Sequence, residues 1–452
     1  MSEYKEQFKK IGIGLVIGLL VFGLSLVFFN TTQASLLGII ALLVTLWTNE
    51  GLPLGVVSLL PIILFPAFGF LGTKATSINY SHPIIYLFLG GFLLAIAVEK
   101  TRLHIYIADK MLMLFPNTPR GIIFSLTITS GLLSSILSNT TTTLLLISIA
   151  LFITEDIKLK MRFALAIAYG ASVGGIMTPI GTPPNLILLG IMSDKGMEVI
   201  PFFQWMWMVA PLAFLMFIVV SWLLSLGVSN TPLHREVEDR VLDVTQKKIL
   251  YLMGGLIFLL LLNAPIKPYW SGLGLSEAGI LLATGLLLFI PPFKVLNWKE
   301  DAHKVPYQIM FLFGAGFSIA KAFSATGLAD AIATYLITMT HMSPLLLLFS
   351  VAMLITFTTE ITSNTALISI MLPVIYSVAQ QAGINITLFM MVATLCASYA
   401  FMLPIATPPN AIAMSSGAVD VKSMIRYGII LNIVGIFLIV MIAEFFWKGI
   451  LI

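Results

Sequence analysis

Long apolar runs alternate with short polar segments from one end of the chain to the other. The first run, Ile11 to Phe29, follows Lys5, Lys9 and Lys10 and supplies the ~20 residues that a spanning helix needs. It exceeds a normal signal-peptide core and no clear Ala-x-Ala site follows, so it predicts a first transmembrane helix rather than a cleaved leader. Further apolar stretches cover 33–48, 52–68, 83–99, 119–153, 163–192, 201–227, 249–263, 276–292, 306–324, 343–379, 386–416 and 425–447. Two of them, 119–153 and 343–379, carry a polar Ser-Asn-Thr interruption near the middle and predict hairpins that enter and leave on one side. Residues 99–118 mix charges with Leu, Ile and Met at helical spacing, as a helix lying in the membrane interface does.

Composition turns this pattern into a class. Of 452 residues, 59% are hydrophobic and 10% charged, against about 25% charged in ordinary soluble domains. The chain is therefore read as an all-α polytopic membrane protein with about 11 transmembrane helices. A net charge of +4 is too small to argue for nucleic acid as a partner. The single cysteine, Cys396, excludes a disulfide framework and a cysteine-ligated metal centre.

Charge then assigns sides. If both hairpins return to the face they entered from, 19 of the 24 Lys and Arg residues collect on one face. Lys74, Lys195, Lys267 and Lys448 fall on the other, with Lys321 near a helix end. By the positive-inside rule the first face is cytoplasmic. Counting either hairpin as two ordinary crossings leaves this parity intact, so charge gives sidedness without proving re-entrance. The most polar stretch, 228–248, holds His234-Arg235-Glu236 and Glu238-Asp239-Arg240 and predicts a solvated cytoplasmic linker.

The chain is also a duplication. Ser138-Asn139-Thr140 recurs as Ser363-Asn364-Thr365, and Thr182-Pro183-Pro184-Asn185 as Thr407-Pro408-Pro409-Asn410, both at a separation of 225 residues. At that offset Gly91-Phe92 falls on Gly316-Phe317 and Ala95 on Ala320. Two independent matches at one offset define repeats over roughly 83–227 and 308–447. The first hairpin is flanked by Arg120, Lys158, Lys160 and Arg162 and opens from the cytoplasm; the second, flanked by His341 and Gln380-Gln381, opens from outside. Equivalent segments of opposite orientation make an inverted repeat, the plan of many secondary transporters. The chain then divides into N-terminal helices (1–82), repeat 1 (83–227) with hairpin 119–153 and broken helix 163–192, the linker (228–248), further helices (249–307), and repeat 2 (308–447) with hairpin 343–379 and broken helix 386–416.

The motifs suggest what such a protein could hold. Non-helical backbone at membrane depth must be buried in protein or line a water-filled cavity. Ser-Asn-Thr at a hairpin tip offers carbonyls to a cation, and amides and hydroxyls to a carboxylate. In Thr-Pro-Pro-Asn, Thr182 and Thr407 suit the cap and Pro183 and Pro408 the first helical position, where no amide proton is needed. Each motif thus marks a break and a fresh helix N-terminus, and four such ends focus partial positive charge on one place. An anionic substrate is the simplest occupant. No Lys, Arg or His lies around the four motifs, so a multiply charged anion needs small cations beside it, and oxygen-only ligands favour an alkali ion.

These motifs resemble those of the divalent anion/sodium symporter family, transporters of dicarboxylates, citrate and sulfate. The paired Ser-Asn-Thr tips, the Thr359-Glu360-Ile361-Thr362-Ser363-Asn364 form of the second and the two Thr-Pro-Pro-Asn breaks carry the resemblance. It implies a homodimer whose transport domain slides against a scaffold as an elevator, and the short loops of the chain suggest a bacterial plasma membrane. It also implies two sodium sites, one among Ser134, Ser138, Asn139 and Gly181 and the other among Thr359, Ser363, Asn364 and Ala406. The substrate carboxylates would be held by Asn139, Thr140, Asn364, Thr365 and Pro408, and the segments near 99–118 and 325–341 would be arms bracing the transport domain. The implied activity is sodium-coupled uptake of C4 dicarboxylates such as succinate, malate or fumarate. The same groups serve exchange of dicarboxylate or 2-oxoglutarate, and carriage of sulfate or citrate.

Two other features have blander readings. Gly170-Ala171-Ser172-Val173-Gly174 matches Gly-x-Ser-x-Gly, but lies in an apolar helix rather than the strand–turn–helix a hydrolase requires, and small residues packing helices explain it. Glu360, the one carboxylate in a motif segment, is read as structural rather than as a coupling group.

Overall fold

The computed structural model describes residues 2–229, 231–233, 241–265, 269–339 and 342–451. The charged middle of the predicted linker, residues 234–240, together with Lys267 and His341, lies outside them.

The N-terminal part comprises α1 (Ser2–Ser25), α2 (Thr31–Asn49), α3 (Leu54–Ala67) and the short α4 (Thr73–Ser77). Asn30 caps α2 by accepting the Gln33 amide at 2.9 Å. Repeat 1 begins with α5 (Pro83–Lys100) and turns at Arg102, whose φ of 57° lies in the left-handed region. The short α6 (Leu103–Met113) follows, then the hairpin pair α7 (Pro119–Ser134) and α8 (Asn139–Ala150), the interrupted pair α9 (Ile157–Gly175) and α10 (Pro183–Asp194), and α11 (Phe202–Ser225).

Beyond the linker come α12 (Val244–Asn263), α13 (Glu277–Leu287) and the one-turn α14 (Trp298–Asp301). Repeat 2 runs through α15 (Tyr307–Ala325), α16 (Leu328–Met339), the hairpin pair α17 (Pro344–Thr359) and α18 (Asn364–Gln381), the interrupted pair α19 (Ile386–Ser398) and α20 (Pro408–Ser415), and α21 (Val421–Phe445). Every predicted helix is present, with ends shifted by a few residues. The largest shifts are at α1, which starts at Ser2 rather than Ile11, and at α9, which starts at Ile157 rather than 163 because Asp156 caps it through the Lys158 amide and the basic residues ride its first turns.

Among the described residues, seven helical segments are long and apolar enough to cross a membrane. α3 and α13 are shorter apolar helices, and the chain is a multi-pass helical membrane protein. One apolar core is centred on α5, α7–α13 and α17–α21; a second joins α2 and α3 to α15, α16 and one face of α18.

The hairpin helix α7 lies tightly on α9. A Cβ placed on Gly174 would collide with the Gly131 carbonyl, and one on Gly170 with the backbone of Thr127. Backbones approach this closely in membranes where small residues line the contact. Ser172, in the middle of this stretch, is buried inside helix α9, which removes the strand–turn–helix context of a hydrolase nucleophile.

Candidate functional site

The two hairpin tips are built alike. α7 ends at Ser134 and α8 starts at Asn139; α17 ends at Thr359 and α18 starts at Asn364. Across the first tip the Ser134 hydroxyl donates to Asn139 Oδ1 at 2.5 Å. Across the second, Thr359 donates to Asn364 Oδ1 at 2.6 Å and to the Ala397 carbonyl at 2.9 Å. Ser138 accepts the Thr141 amide at 3.1 Å, so the first new helix is capped from within the motif. Ser363 plays the same part for Ala366.

The two breaks repeat one another as closely. Residues 176–182 and 399–407 are not α-helical, and both new helices start on proline. Asn185 Nδ2 donates to the carbonyls of Gly175 (3.4 Å) and Thr178 (2.9 Å). Asn410 Nδ2 donates to those of Ala400 and Leu403, both at 3.0 Å. All three pairs are separated by 225 residues, so the duplication extends to individual hydrogen bonds. Thr407 accepts the Asn410 amide at 3.4 Å, whereas Thr182 occupies the cap position without a side-chain bond.

Tips and breaks meet at a cavity of about 300 Å³, within the range of small-molecule sites. Its polar lining includes Ser138, Asn139, Thr140, Ser363, Asn364 and Thr365 from the tips, and Gly181, Thr182, Ala406, Thr407 and Pro408 from the breaks. Phe88, Phe92, Leu54, Ile309 and Leu312 supply apolar walls. The first residues of α8, α10, α18 and α20 all border it, so four helix N-termini share one small volume. The lining contains no charged side chain.

Of the sequence-derived residues, Ser138, Asn139, Thr140, Gly181, Ser363, Asn364, Thr365, Ala406 and Pro408 line this cavity. Ser134 and Thr359 do not. They are fully buried behind the tips and reach the site through the two asparagines. The assembled donors are hydroxyl, amide and carbonyl oxygens, a hard set that fits an alkali cation. Among the described residues no group of three His, Cys, Asp or Glu could hold a metal ion.

Sequence reasoning read Glu360 as structural but named no partner for it, and gave no part to the other residues that lash each tip to its break. In the first half the Thr178 hydroxyl donates to the Ser135 carbonyl at 2.5 Å. In the second the roles are reversed at the same aligned positions: Glu360, 3% exposed, accepts the amides of Met402 (3.0 Å) and Leu403 (2.9 Å) and Asn432 Nδ2 (2.6 Å). A carboxylate with three donors is a structural strap. The pairing of Ser135 with Glu360 and of Thr178 with Leu403 at the repeat offset was the available signal.

Comparison with known proteins places this geometry. The sequence profile of the citrate transporter family (CitMHS) matches residues 40–394. The sodium-dependent dicarboxylate transporter SdcS of Staphylococcus saprophyticus is 31% identical over 96% of this chain and 91% of its own length. SdcS of Staphylococcus aureus strain USA300 is also 31% identical, over 96% of this chain and 90% of its own. Among solved structures, MtrF of Neisseria gonorrhoeae, from a class of antimetabolite efflux pumps, superposes with a TM-score of 0.59 at 12% identity over 82% of each chain. The YdaH transporter of Alcanivorax borkumensis gives 0.58 at 16% identity, covering 93% of this chain and 99% of that one. At such identities the last two speak for the fold alone.

Proposed function

The chain belongs to the citrate transporter family, and on that premise we propose that it is a secondary active transporter coupling sodium entry to uptake of C4 dicarboxylates across a bacterial plasma membrane. One observation carries the proposal: two equivalent tips and two equivalent breaks line a single cavity rich in amide and hydroxyl groups and free of charged side chains. Such a site cannot neutralise a dianion by itself, because four helix ends supply partial charges only. Sodium ions held at the tips supply the remainder, which makes substrate and ion binding mutually dependent.

The assignments follow the lining, with Ser134 and Thr359 added from directly behind the tips. Asn139, Thr140, Asn364, Thr365 and Pro408 face the carboxylates. Ser134, Ser138, Asn139 and Gly181 form one sodium site, and Thr359, Ser363, Asn364 and Ala406 the other. The scaffold comprises residues 1–82 and 249–307, and the hairpins and broken helices move against it as an elevator in each protomer of a homodimer. The cavity is walled by Leu54, Ile309 and Leu312, at the ends of α3 and α15 that charge places in the cytoplasm, which supports an inward-facing state.

The test is uptake of labelled succinate into proteoliposomes with and without an inward sodium gradient, against a competition panel of malate, fumarate, citrate, sulfate and 2-oxoglutarate. Sodium-driven uptake inhibited by C4 dicarboxylates is expected. Counterflow that persists without sodium would instead identify an exchanger. Asn139→Ala and Asn364→Ala are each expected to abolish uptake while leaving the protein folded, and near-normal transport in either would remove that residue from the site.

A further inference from the structure

The proposed sodium sites each take one ligand from a broken helix, Gly181 in the first half and Ala406 in the second. Neither residue is in regular helix, so something outside the local backbone must fix where its carbonyl points. In the first half the Gly181 amide donates to the Thr178 carbonyl at 3.3 Å; in the second the Ala406 amide donates to the Leu403 carbonyl at 3.2 Å. Those two carbonyls are the ones that Asn185 and Asn410 hold, at 2.9 and 3.0 Å. The other carbonyl in each asparagine's grip, Gly175 or Ala400, stands at the end of the preceding helix or just beyond it. Each side-chain amide therefore splints a break from within the helix that follows it.

In the first half the splint also reaches the hairpin tip. The Gly175 carbonyl lies directly against Gly181, and a Cβ on Gly175 would come within 2.7 Å of Asn139 Oδ1. Moving the loop at Gly175 would thus displace a ligand from the break and a ligand from the tip together.

Both asparagines are fully buried, and Asn185 Oδ1 and Asn410 Oδ1 find no partner among the described residues. A buried acceptor left unmade is unfavourable. What these side chains contribute is the pair of N–H donors, which neither a shorter hydroxyl nor an aliphatic residue supplies.

We propose that Asn185 and Asn410 are positioning residues for the two cation sites, setting sodium affinity through the Gly181 and Ala406 carbonyls without touching the ion or the substrate. This rests on the sodium-coupled reading above. Each half is an independent copy of the device, so loss of either amide weakens its own site and lowers apparent sodium affinity, while maximal rate at saturating sodium is largely kept.

The experiment compares the full-length wild type with Asn185→Ala, Asn185→Ser, Asn410→Ala and Asn410→Ser. Two quantities are measured: the sodium concentration giving half-maximal succinate uptake, and the sodium concentration giving half of the sodium-induced rise in melting temperature of purified protein, with choline as the control. The alanine variants are expected to raise both midpoints about fivefold or more, equivalent to about 1 kcal/mol. The serine variants, which keep one donor, should fall between them and the wild type. Unchanged midpoints with a lowered maximal rate or a lowered melting temperature without sodium would overturn the inference. So would failure of all four variants to fold in saturating sodium, since the amides would then be purely structural. A wild type that shows no response to sodium in either measurement would sink the sodium-coupled reading itself, a different outcome from a responsive wild type with unshifted variants.

Discussion

Asn139 and Asn364 show how much a single side chain can carry. Each starts a helix, accepts a hydroxyl across a hairpin tip and faces the cavity. That three-residue motif was legible in the sequence because it occurs twice at one spacing. The straps behind it were legible only in the structural role of Glu360; their partners were not, since Thr178 and Glu360 satisfy backbone groups of segments far away in the chain and differ in type between the halves. Their chemistry predicts unequal sensitivity. Glu360→Gln replaces one acceptor oxygen with a donor facing the Met402 and Leu403 amides or Asn432, and hydrogen bonds to a charged group contribute ~1.5–3 kcal/mol each. Thr178→Val loses one neutral bond, about 1 kcal/mol. Thermal unfolding in detergent should show a clearly larger drop for Glu360→Gln, and equal drops would contradict the strap.

Among the elements, the contact of α7 with α9 depends on glycine. Gly174→Ala puts a methyl into the Gly131 backbone, where no flexible side chain can yield. Overpacking of this kind costs typically 1–3 kcal/mol, so folded yield and melting temperature should both fall, while Ala171→Gly on the same helix should leave the contact geometry unchanged. At the end of α5, Asp301 is 3% exposed and binds Lys100 Nζ at 2.6 Å, Lys304 Nζ at 3.2 Å and the Asn297 amide at 2.9 Å. Burial pulls its carboxyl upward, but the Asn297 amide and the two ammonium groups outweigh burial and hold it below the usual carboxylate range. A carboxyl lowered by folding stabilises the protein fully above its unfolded value, about 3.9, and loses that contribution as pH falls through the lower folded value. Wild-type stability should therefore decline on acidification below about pH 4 more steeply than that of Asp301→Asn. Parallel acid profiles would remove Asp301 as the cause.

In the whole molecule, the short link between α10 and α11 is tied to three helices of other segments. His82 Nε2, at the start of α5, lies 3.4 Å from Asp194 Oδ1. Lys195 Nζ donates to Ser324 of α15 at 2.9 Å, and the Phe202 amide donates to both Glu277 oxygens at 2.8 and 2.9 Å. The bonds of the equivalent link before α21 are local, as in Asp420 with Ser423 and Ala418 with Ser416. If α10 moves past α5 during transport, the His82–Asp194 contact must part. Cysteines placed at 82 and 194 and bridged by a short thiol cross-linker should arrest uptake, with a cleavable linker restoring it on reduction. The buried Cys396 is no competitor for the reagent. Undiminished uptake in fully cross-linked protein would show that these two ends do not separate.

The sequence by itself determined the helical membrane class, the sidedness of charge, the duplication at 225 residues and the residues at both tips. Each is a local or periodic property: hydropathy sets burial in lipid, proline and glycine break helices, and a repeated motif declares itself by spacing. Only the tertiary structure decided that both tips and both breaks share one cavity, that Ser134 and Thr359 stand behind it, and that Asn185, Asn410, Thr178 and Glu360 fasten the non-helical backbone. Those facts concern which distant polar group satisfies which buried backbone group. Membrane depth makes that satisfaction obligatory, but nothing local in the chain says where the partner will come from.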